Sequence, residues 1–240
     1  MNIDHQWEKI YQQEGRVWKE PFPRFGDVIQ TFQERGCRKI LDLGCGSGRH
    51  LVGFAQAGFR TTGMDISPTG LKLAQNWLAE QKPPLENLAA YARTPSLNWS
   101  DSTLTSLGWG SPGWGFPHLV QASMLNPLPF RDGAFDGLMS TQVIHHALLA
   151  QVLATINEIW RILTPGGIAI VSVAGLIHDD TEYEEIEPGT FLPLTGSEAG
   201  LPHHIFNEQT LREAFAKFHI DFIERRDSRR VLMIQAQHPR

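Results

Sequence analysis

The chain of 240 residues is 41% hydrophobic and 20% charged, an ordinary composition for one large or two small globular domains. Its formal net charge of −5 argues against a nucleic-acid partner, although "ERRDSRR" at 224–230 is a local basic segment. Cys37 and Cys45 favour a reducing compartment, and neither a secretory signal nor an apolar run of about 18 residues is present, so we expect a cytoplasmic protein without a membrane span.

The first part of the chain alternates helix and strand patterns, separated by Gly, Pro and Ser residues that end or cap helices. The predicted elements here are helix 4–15, helix 27–36, strand 38–43, helix 47–58, strand 59–66 and helix 68–81. Strands that alternate with helices at this spacing indicate a parallel sheet.

The second part interrupts this pattern twice with long irregular stretches, at 83–117 and 175–206. The elements predicted between and after them are strand 118–124, strand 135–141, helix 148–163, a turn at "TPGG", strand 168–174, helix 207–218 and two closing strands. We therefore predict one doubly wound α/β domain over 1–240, with a seven-stranded, mostly parallel sheet and an antiparallel edge. Residues 1–36 would form N-terminal cap helices, 83–117 an insertion and 175–206 a lid-like loop.

The segment "KILDLGCGSGRH" at 39–50 is typical of a ligand-binding turn at the end of a strand. Its glycines let the backbone turn sharply and let a ligand approach closely. Asp65, at the end of the next predicted strand, is placed to accept both hydroxyls of a ribose. A nicotinamide or flavin dinucleotide would satisfy these two features as well.

Two details favour a different nucleoside ligand. The spacing is G-x-G-x-G, and Arg49 stands where the dinucleotide fingerprint has its third glycine or alanine. Asp42 would also repel a pyrophosphate, whereas it would attract an ammonium group. S-adenosylmethionine combines an adenosine, an amino acid end and a cationic sulfonium, so it is the predicted cofactor.

The chain resembles the class I S-adenosylmethionine-dependent methyltransferases, and among them the type 11 methyltransferase domain group, in four segments that occur in order: "ILDLGCGSGRH", "TTGMDIS", "LNPLPFRDGAFDGLMS" and "EIWRILTPGGIAIVSV". The resemblance covers roughly residues 38–174, apart from the insertion. It implies methyl transfer from S-adenosylmethionine, which leaves S-adenosylhomocysteine.

The resemblance also implies which residues contact the cofactor. Asp42 and the glycine turn should hold the methionine end, Asp65 the ribose, and Ile66 and Met124 the two faces of the adenine. Backbone near Thr141 should accept from the ammonium. The whole predicted cofactor set is Asp42, Gly44, Cys45, Gly46, Gly48, Arg49, Asp65, Ile66, Ser67, Ser123, Met124 and Thr141. Ser123 departs from the family pattern, because many members have an acid there and a hydroxyl is a weaker acceptor.

Histidines are the candidate catalytic residues at the rim, although the chemistry requires a base only if the acceptor must lose a proton. His146, which follows the fourth predicted strand with His145, and His203 in the lid-like loop could orient an acceptor or take its proton. His203 and His204 are not predicted to form a metal site, since adjacent side chains diverge and a third ligand at suitable spacing is missing.

The acceptor, its methylated atom and the oligomeric state are not predicted by the sequence. We expect a small-molecule acceptor, with no nucleic acid and no membrane as partner. Two alternatives stay open: a non-catalytic S-adenosylmethionine-binding protein and, with less support, a nucleotide-dependent oxidoreductase. The aromatic residues of the first 25 positions are predicted to pack as a satellite core, with a cap over the substrate as the alternative.

Overall fold

A computed structural model describes residues 3–81, 117–175, 182–226 and 228–237, so the insertion predicted at 83–117 lies outside the described residues except for Pro117. The helices are α1 (Ile3–Glu14), α2 (Phe25–Glu34), α3 (Arg49–Gln56), α4 (Pro68–Gln81), α5 (Leu149–Ile162) and α6 (Glu208–Ala214). The strands are β1 (Lys39–Leu43), β2 (Arg60–Asp65), β3 (His118–Gln121), β4 (Phe135–Thr141), β5 (Leu163–Ala174), β6 (Tyr183–Glu187), β7 (Thr190–Pro193), β8 (His203–His204), β9 (Phe218–Arg226) and β10 (Arg229–Ala236).

Seven strands form the main sheet, in the order β3-β2-β1-β4-β5-β10-β9. The first five pair in parallel, whereas β10 pairs antiparallel with both β5 and β9. The predicted mixed, doubly wound sheet is thus confirmed. Strand order reverses between β1 and β4, and in such sheets ligands bind beyond the carboxyl ends of the strands at this point.

Apolar side chains cover both faces of the sheet, and they alternate along each strand as the pleat requires. On β1, Leu41 packs into a cluster with helix α5, while Ile40 packs into a second cluster with Phe32 of α2. On β4, Leu138 packs into the first of these clusters and Met139 into the second. This double burial fixes the strand register and so places the strand ends that build the site.

The "TPGG" segment is a correction to the predicted turn before the fifth strand. β5 already begins at Leu163, which pairs with Phe135 of β4. The register then shifts, so that Gly137 pairs with Ile168, and Gly166 takes a positive φ of 79°. Residues 164–167 are therefore an irregularity within β5 and not a turn before it, because β5 pairs with β4 on both sides of them.

The stretch 175–206, expected to be irregular, contains a three-stranded antiparallel sheet of β6, β7 and β8, here called the cap sheet. Its β6 strand, "YEEIE", has almost no buried side chain. Backbone bonds attach the cap sheet to the main sheet: His204 N–H donates to the His145 carbonyl (2.8 Å) and Phe206 N–H to the Ala174 carbonyl (3.2 Å). The cap sheet therefore lies over the carboxyl ends of β4 and β5.

Candidate functional site

A cavity of about 400 Å³ opens at the carboxyl ends of the parallel strands, between the glycine turn and the cap sheet. Nine of the twelve predicted cofactor residues line it, namely Gly44, Cys45, Gly46, Arg49, Asp65, Ile66, Ser123, Met124 and Thr141. Asp42, Gly48 and Ser67 are not among its lining residues. Most of the predicted cofactor residues therefore face one cavity, and the other three do not contact it.

The glycine turn is held against the end of β2 by its own backbone. Gly44 N–H and Cys45 N–H both donate to the Met64 carbonyl, at 2.8 and 3.0 Å. Gly44 and Gly46 have positive φ angles of 74° and 54°, which side-chain-bearing residues rarely adopt. A Cβ on Gly46 would lie 2.2 Å from the Tyr11 hydroxyl oxygen, so a side chain there would displace Tyr11 as well as strain the backbone. The turn is a bare backbone surface facing the cavity.

Asp65 joins the glycine turn to the start of α4. Its Oδ2 accepts from Gly46 N–H (2.8 Å) and its Oδ1 from Ser67 N–H (2.9 Å). Burial raises the pKa of Asp65, and these bonds from Ser67 and Gly46 oppose the rise. Each carboxylate oxygen has more than one lone pair, so Asp65 can still accept from a ligand hydroxyl in the cavity.

Asp42 lies beneath the glycine turn with 1% of its surface exposed, and its Oδ2 has no hydrogen-bond partner among the described residues. His50 stands 3.9 Å from its Oδ1 but accepts from Phe22 N–H through Nε2. Burial and the charge of Arg49 lower the pKa of His50 to about 3, so this ring stays neutral. An unpaired buried carboxylate is costly, and a cation in the cavity would reduce that cost.

The titration of Asp42 gives a testable pH dependence. Burial raises the pKa of Asp42 from 3.8 to about 7, with Arg49 opposing and Asp65 adding to the rise. Between pH 3.8 and about 7 the Asp42 carboxyl keeps its proton in the folded chain but loses it in the unfolded chain. The contribution of Asp42 to the free energy of unfolding therefore falls as pH rises. We expect Asp42→Asn to stabilise the ligand-free protein by about 1–3 kcal/mol at pH 8 and to have little effect at pH 4. Urea unfolding at both pH values measures this, and an equal effect at the two would contradict it.

Helix α1 closes the cavity above the glycine turn and is anchored by Glu8. Glu8 accepts from Ser67 Oγ (2.6 Å), Thr69 Oγ1 (2.5 Å) and Thr69 N–H (3.1 Å) at the start of α4. Burial raises the pKa of Glu8, but these bonds lower it more, to about 2. Ser67, predicted to touch the cofactor, does not line the cavity, and its hydroxyl donates to Glu8 of α1.

The N-terminal aromatic residues divide between the two interpretations given above. Trp7, Tyr11 and Trp18 line the cavity, whereas Phe22 and Phe25 belong to a core cluster. Phe22 and Phe25 thus pack as the expected satellite core. Trp7, Tyr11 and Trp18 fit the alternative, a cap over the substrate. Trp7 and Tyr11 stand four positions apart on α1, which places them on one face of this helix.

The far wall of the cavity follows β4. Gln142 directly after the strand has a left-handed backbone with φ of 57°, which costs roughly 1–2 kcal/mol for a residue with a side chain. Its N–H donates to the Ser172 carbonyl (2.9 Å), and this bond holds the turn. His145 and His146 follow in the same turn, and both are buried and line the cavity.

His203 reaches the same wall from the cap sheet. Its ring centroid lies 4.6 Å from that of His146. Its Nε2 lies 2.9 Å from Glu198 Oε2, and both residues line the cavity. His204 points elsewhere, with Nδ1 2.8 Å from Thr190 Oγ1. The sequence predicted that His203 could approach the rim beside His146, but not the ring contacts themselves, because the three histidines meet only through the attachment of the cap sheet.

Residues 41–171 match the family model described as a methyltransferase domain. An uncharacterized methyltransferase of Synechocystis is 27% identical over 131 residues, which are 55% of this chain and 44% of that protein. A probable tRNA methyltransferase 9B of Homo sapiens is 25% identical over 194 residues, 76% of this chain and 34% of the human protein. The chain thus spans less than half the length of either relative.

A solved structure has the same fold at low sequence identity. It is the 1,6-didemethyltoxoflavin-N1-methyltransferase of Burkholderia thailandensis, with bound 1,6-didemethyltoxoflavin and S-adenosylhomocysteine. The TM-score is 0.64 at 17% identity, over 98% of this chain and 88% of that one. Within the described ranges, none of the helices has the length and apolar character needed to cross a membrane.

Proposed function

Because the chain belongs to the class I S-adenosylmethionine-dependent methyltransferases, we propose that it transfers a methyl group from S-adenosylmethionine to a small-molecule acceptor. The observation that supports this most is a cavity that runs without interruption from the glycine turn to a wall of histidine and aromatic side chains. Its volume of about 400 Å³ is in the range of sites that enclose small ligands.

The residues at the glycine end fit the cofactor. Asp65 would accept from the ribose hydroxyls, and Ile66 and Met124 would contact the adenine. The backbone of Gly44 to Gly46 would receive the methionine end, and its ammonium group would favour the charged form of the Asp42 carboxyl beneath the turn. When bound, S-adenosylmethionine supplies a methyl group already activated by its sulfonium.

The chain itself then has to align the acceptor and exclude water. Trp7 and Trp18 form an apolar wall, with ring centroids 6.2 Å apart. His146 and His203 offer polar atoms at the opposite wall, close to where the fourth strand ends. Holding the acceptor atom near the methyl group accounts for most of the rate in this chemistry, so a dedicated base is needed only for acceptors that lose a proton.

A nucleic-acid acceptor is the second candidate, suggested by the relationship to the human protein named a tRNA methyltransferase. The hairpin of β9 and β10 carries four arginines, and Arg229 reaches the cavity. The formal net charge of −5 weighs against it, since binding to RNA depends largely on phosphate neutralisation.

Two measurements test the proposed function. Calorimetry should detect binding of S-adenosylhomocysteine but not of NAD, and NAD binding alone would support the oxidoreductase alternative. A transfer assay with labelled S-adenosylmethionine should then methylate a pool of small metabolites and leave total tRNA unlabelled. Label in tRNA alone would favour the second candidate. Cofactor binding without transfer to either pool would favour a non-catalytic binding protein.

A further inference from the structure

The three histidines at the far wall form a cluster that the methyl-transfer chemistry does not require. We infer that His145, His146 and His203 bind a divalent first-row metal ion of the Zn²⁺ type, with Glu198 as an additional oxygen ligand. The inference stands on the arrangement of these side chains and does not rest on the proposed function.

The first step of the argument is proximity. One ligand atom from each of the three histidines lies within 4.8 Å of the other two. The ring centroids of His145 and His146 are 4.0 Å apart, and those of His145 and His203 are 5.7 Å apart. The His204 N–H bond to the His145 carbonyl (2.8 Å) fixes the two supporting backbones against each other.

The second step is the orientation of the rings. His146 Nδ1 faces the Val143 carbonyl at 3.2 Å, and His203 Nδ1 faces the Leu201 carbonyl at 2.9 Å. A carbonyl accepts, so each Nδ1 carries the hydrogen and each Nε2 is left as the ligand atom. Metal-binding histidines are usually held in this way, with the second ring nitrogen donating to a backbone carbonyl or carboxylate.

The third step is a buried ring nitrogen of the cluster that lacks a hydrogen-bond partner in the described part of the chain. His145 is 1% exposed, yet its Nδ1 has no hydrogen-bond partner among the described residues. A buried polar atom without a partner is destabilising, and an ion bound in the cluster would satisfy it.

Glu198 supplies the fourth donor. Its Oε2 lies 2.9 Å from His203 Nε2, which is a hydrogen-bond contact, and an ion bound between the two atoms would replace that hydrogen. Metal–nitrogen bonds of about 2.0–2.1 Å at tetrahedral angles place donors roughly 3.3 Å apart, so the rings need only turn inward about their side-chain bonds. Imidazole ligands favour zinc, copper, nickel and iron over magnesium and calcium. An ion here would face the acceptor end of the cavity, where it could hold an acceptor oxygen, nitrogen or sulfur atom.

The test is metal binding by the full chain after treatment with a chelator. We expect calorimetry with ZnCl₂ to show one site per chain, and Co²⁺ to give the visible absorption of a four-coordinate ion. His203→Gln and His146→Gln should each weaken Zn²⁺ binding by at least about tenfold. His219→Gln is the matched control, because His219 is an exposed histidine on β9, and it should leave affinity unchanged.

Zinc binding that is absent, or that falls equally in all three variants, would overturn the inference. The melting temperature in chelator and the affinity for S-adenosylhomocysteine show whether each variant is folded. If His203→Gln fails this check, Glu198→Gln replaces it, with the same expected loss of zinc affinity. These readouts do not depend on methyl transfer, so a chain that binds zinc but transfers no methyl group would contradict the proposed function alone.

Discussion

Asp65→Ala is expected to weaken binding of S-adenosylhomocysteine by about tenfold to a hundredfold. The carboxylate accepts two backbone N–H groups, from Gly46 and Ser67, and also lines the cavity. Hydrogen bonds to a charged group contribute about 1.5–3 kcal/mol each, and about 1.4 kcal/mol corresponds to a tenfold change in affinity. The substitution removes the predicted hydrogen-bond acceptor for the ribose, and it also removes the bond that Asp65 accepts from Gly46 in the glycine turn. Isothermal titration calorimetry gives the affinity directly.

Asp136→Ala is the matched control for this experiment. Asp136 Oδ1 also accepts two backbone N–H groups, from Arg38 (2.8 Å) and Lys39 (2.7 Å), but at the opposite end of the sheet. We expect it to lower stability without changing affinity for S-adenosylhomocysteine. If both substitutions reduce affinity alike, the effect of Asp65 is a general one on the fold. An unchanged affinity for Asp65→Ala would remove Asp65 from the cofactor site.

Gly44→Ala is expected to lower the free energy of unfolding by about 3 kcal/mol or more. A Cβ at this position would lie 2.3 and 2.5 Å from the two γ-carbons of Val143, and Gly44 has a φ of 74°. Overpacking costs about 1–3 kcal/mol, and the left-handed backbone adds about 1–2 kcal/mol. Urea unfolding measures the loss, and cofactor affinity should fall with it because the turn must move.

Gly36→Ala separates the two contributions. Gly36 has nearly the same φ of 72°, but a Cβ there would meet nothing within 4 Å. Its substitution should therefore cost only the backbone part, about 1–2 kcal/mol. If Gly44→Ala and Gly36→Ala lower the free energy of unfolding equally, the predicted clash between a Cβ at Gly44 and Val143 is wrong.

The sequence predicted the main sheet well because local and long-range requirements agree there. The β1 segment is a short apolar run followed at once by glycines, and α4 begins at the favoured Pro68 after Ser67, so each boundary has a local cause. Three of the predicted cofactor residues on the turn and on β2, namely Gly44, Gly46 and Asp65, line the cavity because parallel strand ends share one edge.

The cap sheet and the histidine cluster could not be predicted in the same way. β6 carries glutamates on both faces, so it lacks the alternation that identifies a strand, and its pairing with β7 defines it. β8 has just two residues. Asp42 lies beneath the turn and not on the cavity wall, which its place in the motif did not reveal, and its role toward the cofactor stays a prediction. Its distance from the cavity depends on side-chain packing that spacing does not encode.

The attachment of the cap sheet has a consequence for how acceptor choice can change over time. It is fastened to the main sheet by a few backbone bonds, including those of His204 and Phe206, and contributes no strand to the main sheet. We therefore expect that the segment between β5 and α6 can be exchanged while the main sheet and the glycine turn keep their geometry. Chimeras built at these two junctions would test whether this segment sets the preference for an acceptor.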